Sequence, residues 1–335
     1  GLMAMSADLE TLQARLGDAL TPEALLRQAA VAAPPNIPVL CFPELIPTLL
    51  EGLLEHEWNQ LGTRAQNYLR WISVKAESID VLAPKDVLPT TRGFELLAIH
   101  STGDSFGKIL EKCRSLEIPS VLIRFSTLIS AFLTVRLLKQ QIEQYGDTVP
   151  SLLFTQNVDA DYLNYPRALR TALELFPESQ STFCFEVNEA LTEDYLSTLR
   201  TLSEDLHIRL VLDDTNQMDD TVQRELMDLA EWIKIDYQAT QVLEQRLREG
   251  EGGQIVWQLA QYAHASRSPV IVFEGLGEHA PLKTYLAESW SDPETVLYYQ
   301  SRERVPLPPW DRYFGLIQDH TPEEYGLFFK GLIAD

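Results

Sequence analysis

From residue 71 onward, short apolar or β-branched runs alternate with amphipathic helical stretches. That alternation restricts the fold more than any other feature of the chain. The runs are "WISVKAESIDV", "FELLAIH", "SLLFTQN", "TFCFEVNE", "IRLVLDD", "WIKIDY", "PVIVFEG" and "TVLYYQ". Stretches such as "DYLNYPRALRTALELF" and "TEDYLSTLRTLSEDL" separate them. Such alternation implies a mostly parallel sheet with right-handed crossovers. Eight units over about 240 residues fit a closed (β/α)8 TIM-like barrel better than an open doubly wound sheet. Neither G-x-G-x-x-G nor G-x-x-x-x-G-K-[ST] follows any run, which counts against an open nucleotide-cofactor sheet. "SVLIRF" at 120–125 is a ninth strand candidate on composition alone.

The region before the barrel reads differently. Leu9, Leu12 and Leu16 share one helical face, "PPNIP" at 34–38 breaks the pattern, and "PELIPTLLEGLLEHEWNQLGTRAQNYLRWI" resumes it as one or two helices. Residues 1–70 are therefore expected to form a helical segment, regulatory or oligomerising. It is too thin for an independent core and should pack on the barrel or on a second copy. The barrel is expected over 71–308, and 309–335 as a helical extension packing on it. The opening "GLMAM" reads as added to a natural start and carries no fold expectation.

A net charge of −22 over 335 residues argues against a generic basic nucleic-acid surface. Small phosphorylated ligands stay open, because an acidic protein can bind an anion through metal ions or one lysine. Cys41, Cys113 and Cys184 are odd in number and far apart, which excludes a C-x-x-C zinc site and a disulfide framework. No run of 18 apolar residues and no signal peptide is present, so the expectation is a cytoplasmic protein without membrane insertion.

In a barrel of this class the chemistry lies at the carboxyl ends of the strands. The residues there are Asn157, Glu186 with Glu189, Asp213 with Asp214, Lys234 with Asp236, Glu274 and Gln300, joined by Glu95 nearer the start of its run. Oxygen-rich rings without paired histidine or cysteine suit hard divalent cations such as Mg²⁺ or Mn²⁺. Asp213 and Asp214 can then be adjacent if a cation sits over one and Lys234 neutralises the other. Separately, each has an ordinary alternative: Asp213-Asp214 as a helix N-cap, Lys234 as a snorkelling side chain, Glu189 as a solvated turn acid.

"FEVNEAL", "LVLDDTN", "WIKIDY" and "VIVFEGLGE", in this order and spacing, resemble an EAL domain. Those are (β/α) barrels that hydrolyse cyclic di-GMP to linear pGpG with two Mg²⁺ or Mn²⁺ ions. The family's signature glutamate falls on Glu95 and its "vNlS" asparagine on Asn157. Its "lEiTE" falls on Glu186 and Glu189, its "lDDFGtG" on Asp213-Asp214, its "KID" on Lys234 to Asp236. Its "aEGvE" falls on Glu274 and its terminal glutamine on Gln300. "EIPSVLIRFSTLISAFLTVRLLKQQIEQYG" resembles the helices after the signature strand, which makes 120–125 helical.

The resemblance implies roles. Glu95, Asn157, Glu186 and Asp213 would hold one ion. Asp213 would bridge to a second, completed by Asp214 and positioned by Glu274. Lys234 would orient the attacking water, Glu189 would brace the loop after Asp214, and Gln300 would contact substrate. The sequence also departs from the pattern. The family's phosphate-contacting arginine is Ile99, the glycine of its "DDFGtG" loop is gone, and Gly277 replaces its second "EGvE" glutamate. The chain is therefore expected to bind cyclic di-GMP and hydrolyse it slowly. The alternative is an inactive relative serving as a receptor or protein-interaction module, with a homodimer or partner held through the N-terminal helices.

Overall fold

The computed structural model describes residues 2–32, 39–83, 91–143, 152–187, 193–214, 225, 228–266 and 270–301; within these, 2–8, 31–32, 91, 139–143, 214 and 265–266 are described by backbone only. Eight strands close a barrel: β3 (Ile72–Val81), β4 (Thr91–His100), β5 (Leu153–Val158), β6 (Phe183–Val187), β7 (Arg209–Asp214), β8 (Ala230–Ile235), β9 (Val270–Glu274) and β10 (Val296–Gln300). Neighbours pair in parallel except around β3, which is antiparallel to both β4 and β10. The cause is local: a parallel pair needs a crossover of a dozen or more residues, and the chain between Val81 and Thr91 is too short for one. The amino end of β3 therefore shares a mouth with the carboxyl ends of the other seven strands.

Strand alternation divides the barrel into two environments. The outer faces of β3 and β4, carrying Ile72, Val74, Ala76, Phe94 and Leu96, join one large core with the helices. Its centre is the helix Ser120–Glu143, whose residues Phe125, Leu128, Ile129, Phe132 and Leu133 are essentially inaccessible. "SVLIRF" is thus helical. The segment Ser120–Leu138 has the length and apolarity to cross a membrane, but it is buried as a core helix. Phe132 stacks edge-on against Phe183 at 4.8 Å. Arg136, on the same helix, grips Glu178 with two hydrogen bonds of 2.6 and 3.0 Å and lies 4.4 Å over Phe176. The inner faces begin with a dry floor of Ile79, Cys184, Val211, Trp232, Val270 and Val272, where Trp232 meets Tyr298 edge-to-face at 5.5 Å.

Among the described residues before β3 there are five helices, the first spanning Leu2–Leu16 and so including most of "GLMAM". Leu12 and Leu16 are buried on the face the spacing indicates. These helices join the same core as the barrel's outer faces. Unforeseen in the sequence was a two-stranded antiparallel ribbon, β1 (Ala30–Ala32) with β2 (Val39–Cys41). Two three-residue strands on either side of "PPNIP" read as a break, because each is too short to show periodicity. The segment 309–335 lies outside the described residues.

Gly93, two residues before Glu95 on β4, shows how tightly the barrel closes beside the ring. A Cβ added there would meet the Leu153 carbonyl oxygen at 2.4 Å, inside the β4–β5 pairing. Gly93→Ala is expected to destabilise by about 1–3 kcal/mol through overpacking. Thermal unfolding checks this; an unchanged midpoint would show that β4 and β5 have slack.

Candidate active site

The inner column of each strand continues above the floor into polar residues. On β4 it reads Gly93, Glu95, Leu97, Ile99; on β3, running the other way, Ile79, Glu77, Lys75, Ser73. Asn157 pairs with Glu186, Asp213 with Lys234, and Glu274 with Gln300, so all six share the inward face of neighbouring strands. The chain distance between Glu95 and Gln300 is thereby closed to one hydrogen bond.

Lys234 is the hub. Its Nζ donates to Glu95 Oε2 at 2.9 Å and to Glu186 Oε1 at 3.0 Å, and it is 2% exposed. Gln300 Nε2 donates to the same Glu95 oxygen at 2.9 Å, and Asn157 also hydrogen-bonds Glu95. Burial alone would raise the Glu95 pKa. The Lys234 charge, with hydrogen bonds from Lys234, Gln300 and Asn157, overcomes that and holds Glu95 below the usual carboxylate range. Glu186 goes the other way: burial and the Glu95 charge outweigh Lys234 and push it well above that range. Asp213 is raised to about 7, chiefly by burial, with Glu95, Glu274 and Asp236 adding repulsion against the pull of Lys234. Burial would deprotonate Lys234, but the surrounding carboxylates hold it firmly charged.

The expected division of labour at Asp213-Asp214 rests partly on a side chain outside the described residues. Lys234 hydrogen-bonds to Glu95 and Glu186 and reaches Asp213 only through its field. The side chain of Asp214, Glu189 and the loop 215–220 lie outside the described residues. Asp236 caps the helix Tyr237–Arg248, accepting from the Ala239 amide at 2.7 Å. Glu278 is clamped by the Tyr299 hydroxyl at 2.9 Å and the Lys283 ammonium at 3.2 Å, so it supports the loop after β9. His100 is buried, stacked on Tyr68 at 4.0 Å and bonded to the Tyr68 carbonyl.

Reading only strand carboxyl ends missed two ring members on the antiparallel strand. Glu77 lies directly opposite Glu95, and burial with the Glu95 charge raises its pKa. Lys75 is the next inward residue toward the mouth and lowers Glu77 in turn. The alternation in "VKAESI" carries the signal once the strand's direction is known.

Among the described residues no three of His, Cys, Asp and Glu stand as a ready metal cage; the Lys234 ammonium lies between the two central glutamates. The donor set nonetheless fits a hard cation. Five inward carboxylates, Glu77, Glu95, Glu186, Asp213 and Glu274, face two lysines. Gln300 Oε1 is buried with no hydrogen-bond partner. An orphaned acceptor beside excess carboxylate is what a cation would satisfy.

No protein-family model matches the chain, and no curated protein does. Solved structures do. The PaMucR phosphodiesterase in its c-di-GMP complex is 20% identical, with a TM-score of 0.52 over 74% of this chain and 94% of that one. An EAL-domain protein of Listeria monocytogenes is 14% identical, with a TM-score of 0.50 over 77% and 99%. BlrP1 of Klebsiella pneumoniae, as a manganese/c-di-GMP complex, is 15% identical, with a TM-score of 0.50 over 69% and 55%. The chain has the barrel fold of EAL domains.

Two outcomes are expected of the ring. Lys234→Met leaves two buried glutamates without their cation, which costs about 3–5 kcal/mol. Mn²⁺ should recover part of that loss, as seen by thermal unfolding with and without the ion; recovery no larger than for wild type would exclude these glutamates as cation ligands. The second concerns Asp213. An acid raised from 3.8 to about 7 stabilises the fold below pH 4, and that contribution is lost as pH rises through about 7. Relative to metal-free wild type, Asp213→Asn should gain stability from pH 4 to pH 8 in urea titrations. A pH-independent difference would contradict the burial argument.

Proposed function

We propose that this chain is an EAL-domain protein of bacterial cyclic di-GMP signalling, which binds the dinucleotide and hydrolyses it slowly to pGpG. One observation carries the reading: the Lys234-centred ring joins Glu95, Asn157, Glu186, Asp213, Glu274 and Gln300 on one inward face above a dry floor. The likeness to barrels solved with c-di-GMP, one of them with manganese, supports it.

In this reading Glu95, Asn157, Glu186 and Asp213 hold one Mg²⁺ or Mn²⁺ ion, and Asp213, Asp214 and Glu274 hold a second. Bound ions of this kind polarise a phosphoryl oxygen and supply hydroxide near neutral pH. The protein's own groups do the rest. Lys234 holds Glu95 ionised, keeps Glu186 oriented, and offers its charge to the phosphoryl oxygens as they become more negative. Gln300, anchored on Glu95, would offer its buried Oε1, which has no hydrogen-bond partner among the described residues, to the ion or substrate. Glu189 braces the loop following Asp214. The chain acts in the cytoplasm, and its N-terminal helices serve regulation or assembly.

The receptor reading draws on Ile99. It is 4% exposed, packed with Val39, Cys41 and Trp71, so no guanidinium serves the ligand there. Binding spread over many contacts tolerates such a loss better than chemistry does, since a misplacement near 1 Å can cost about 100-fold in rate.

Calorimetry with cyclic di-GMP, with and without Mn²⁺, together with chromatographic detection of pGpG, tests the proposal. Binding with turnover roughly 100-fold below that of an enzyme with an intact glycine loop is expected. Asp213→Asn should weaken Mn²⁺ binding about tenfold or more. No binding of the dinucleotide rejects the reading; binding without any turnover replaces it with the receptor; full-speed turnover rejects the argument from the lost glycine and arginine.

A further inference from the structure

We infer that Lys75 is the residue that contacts the phosphate of the bound ligand, in place of a cation at position 99. The inference rests on the cyclic di-GMP reading above and names a contact within that site.

The argument follows the rungs that climb from the ring to the mouth between β3 and β4. The lowest pairs Glu77 with Glu95, the next Lys75 with Leu97, and the next Ser73 with Ile99. That upper rung is closed. β2 lies across it: Val39 and Cys41 pack on Ile99 and Trp71, and the Ser73 hydroxyl donates to the Leu40 carbonyl. Val39, Cys41 and Ser73 are each 0% exposed. A charged side chain at 99 would be buried beneath β2 with nothing to pair with, a costly position. The rung below differs, for Lys75 and Leu97 are both only half-buried.

Lys75 points inward, sharing the face of Glu77 and Ile79. Its charge is felt at Glu77, yet among the described residues it has no hydrogen bond and no ion pair. Lys234, the other inward cation, is committed to two glutamates at 2% exposure. Among the described residues, a phosphodiester anion entering this carboxylate-rich ring therefore meets one inward ammonium without a side-chain partner, on a chain of charge −22. Position 75 is diagonal to position 99 across the pair, about 7–8 Å away and within a lysine's reach of the same volume. The flexible stem and point charge of lysine suit a phosphate whose orientation other contacts set.

The plainer reading is that Lys75 only offsets Glu77. The two differ in what they change: an offset of Glu77 alters cation affinity, whereas a phosphate contact alters ligand affinity at constant cation affinity. Lys75→Gln and Lys75→Arg are compared with wild type by calorimetry, using Mn²⁺ alone, cyclic di-GMP with Mn²⁺, and bis(4-nitrophenyl) phosphate with Mn²⁺. Thermal midpoints check that each variant folds. The Gln variant should lose about tenfold or more in cyclic di-GMP affinity, the size of one charge-assisted hydrogen bond. The Arg variant should keep most of it, and any change in Mn²⁺ affinity in either variant should be much smaller than the ligand loss in Lys75→Gln. Equal cyclic di-GMP affinity in wild type and Lys75→Gln overturns the inference and leaves the proposed function intact. So does a ligand loss matched by a shift in Mn²⁺ affinity. If wild type binds the simple phosphodiester but not cyclic di-GMP, and Lys75→Gln loses it, Lys75 keeps its role and the proposed ligand falls. Binding of neither probe by wild type overturns both.

Discussion

The contact of Lys234 with Glu95 and Glu186 is the constraint around which the barrel interior is arranged. Two carboxylates and an ammonium, each nearly inaccessible, carry a desolvation cost that Coulomb attraction offsets only with good geometry and complete hydrogen bonding. The geometry comes from three strands far apart in sequence, fixed by register: β4 brings Glu95, β6 Glu186 and β8 Lys234. The bonding gains Gln300 from β10, so the last strand of the barrel and its second meet on one carboxylate. Below them the Trp232–Tyr298 floor excludes water and strengthens each interaction above it.

The N-terminal segment is part of this arrangement. Its helices share the core that covers the outer strand faces, and β2 closes the rung above Lys75 and Leu97. The Ser73–Leu40 hydrogen bond and the packing of Ile99 join the first residues of the chain to two strands of the ring. An apolar residue at 99 is thus coupled to the presence of β2. The isoleucine serves a contact that an arginine could not.

The strand ends were legible because a parallel barrel strand buries its body and exposes its carboxyl terminus; a carboxylate or lysine closing an apolar run is then conspicuous. Glu186, Asp213, Lys234, Glu274 and Gln300 stand out in that way. Lys75 and Glu77 do not, because β3 runs backwards and its ring residues lie in mid-strand, where alternation looks like any half-exposed strand. The helix Ser120–Glu143 was ambiguous from composition, since "SVLIRF" suits a strand as well as a fully buried helix. Only its place after the signature strand settled its type. The β1–β2 ribbon, three residues to a side, had no period to read.

The ring also couples cation and ligand. Without an ion, burial and mutual repulsion lift Glu77, Glu186 and Asp213 together, while Lys234 and its companion hydrogen bonds hold Glu95 low. A divalent cation held as proposed would have to displace protons from those raised groups and share Glu95 and Glu186 with Lys234, so its affinity would include the cost of reorganising that contact. A phosphodiester raises the cation's affinity by adding oxygen ligands, and by linkage the cation raises the diester's affinity by the same factor. Lys75, on the rung toward the mouth, acts on this exchange only through its charge on Glu77. If Lys75 makes the phosphate contact inferred above, its attraction for an anion does not depend on a bound ion.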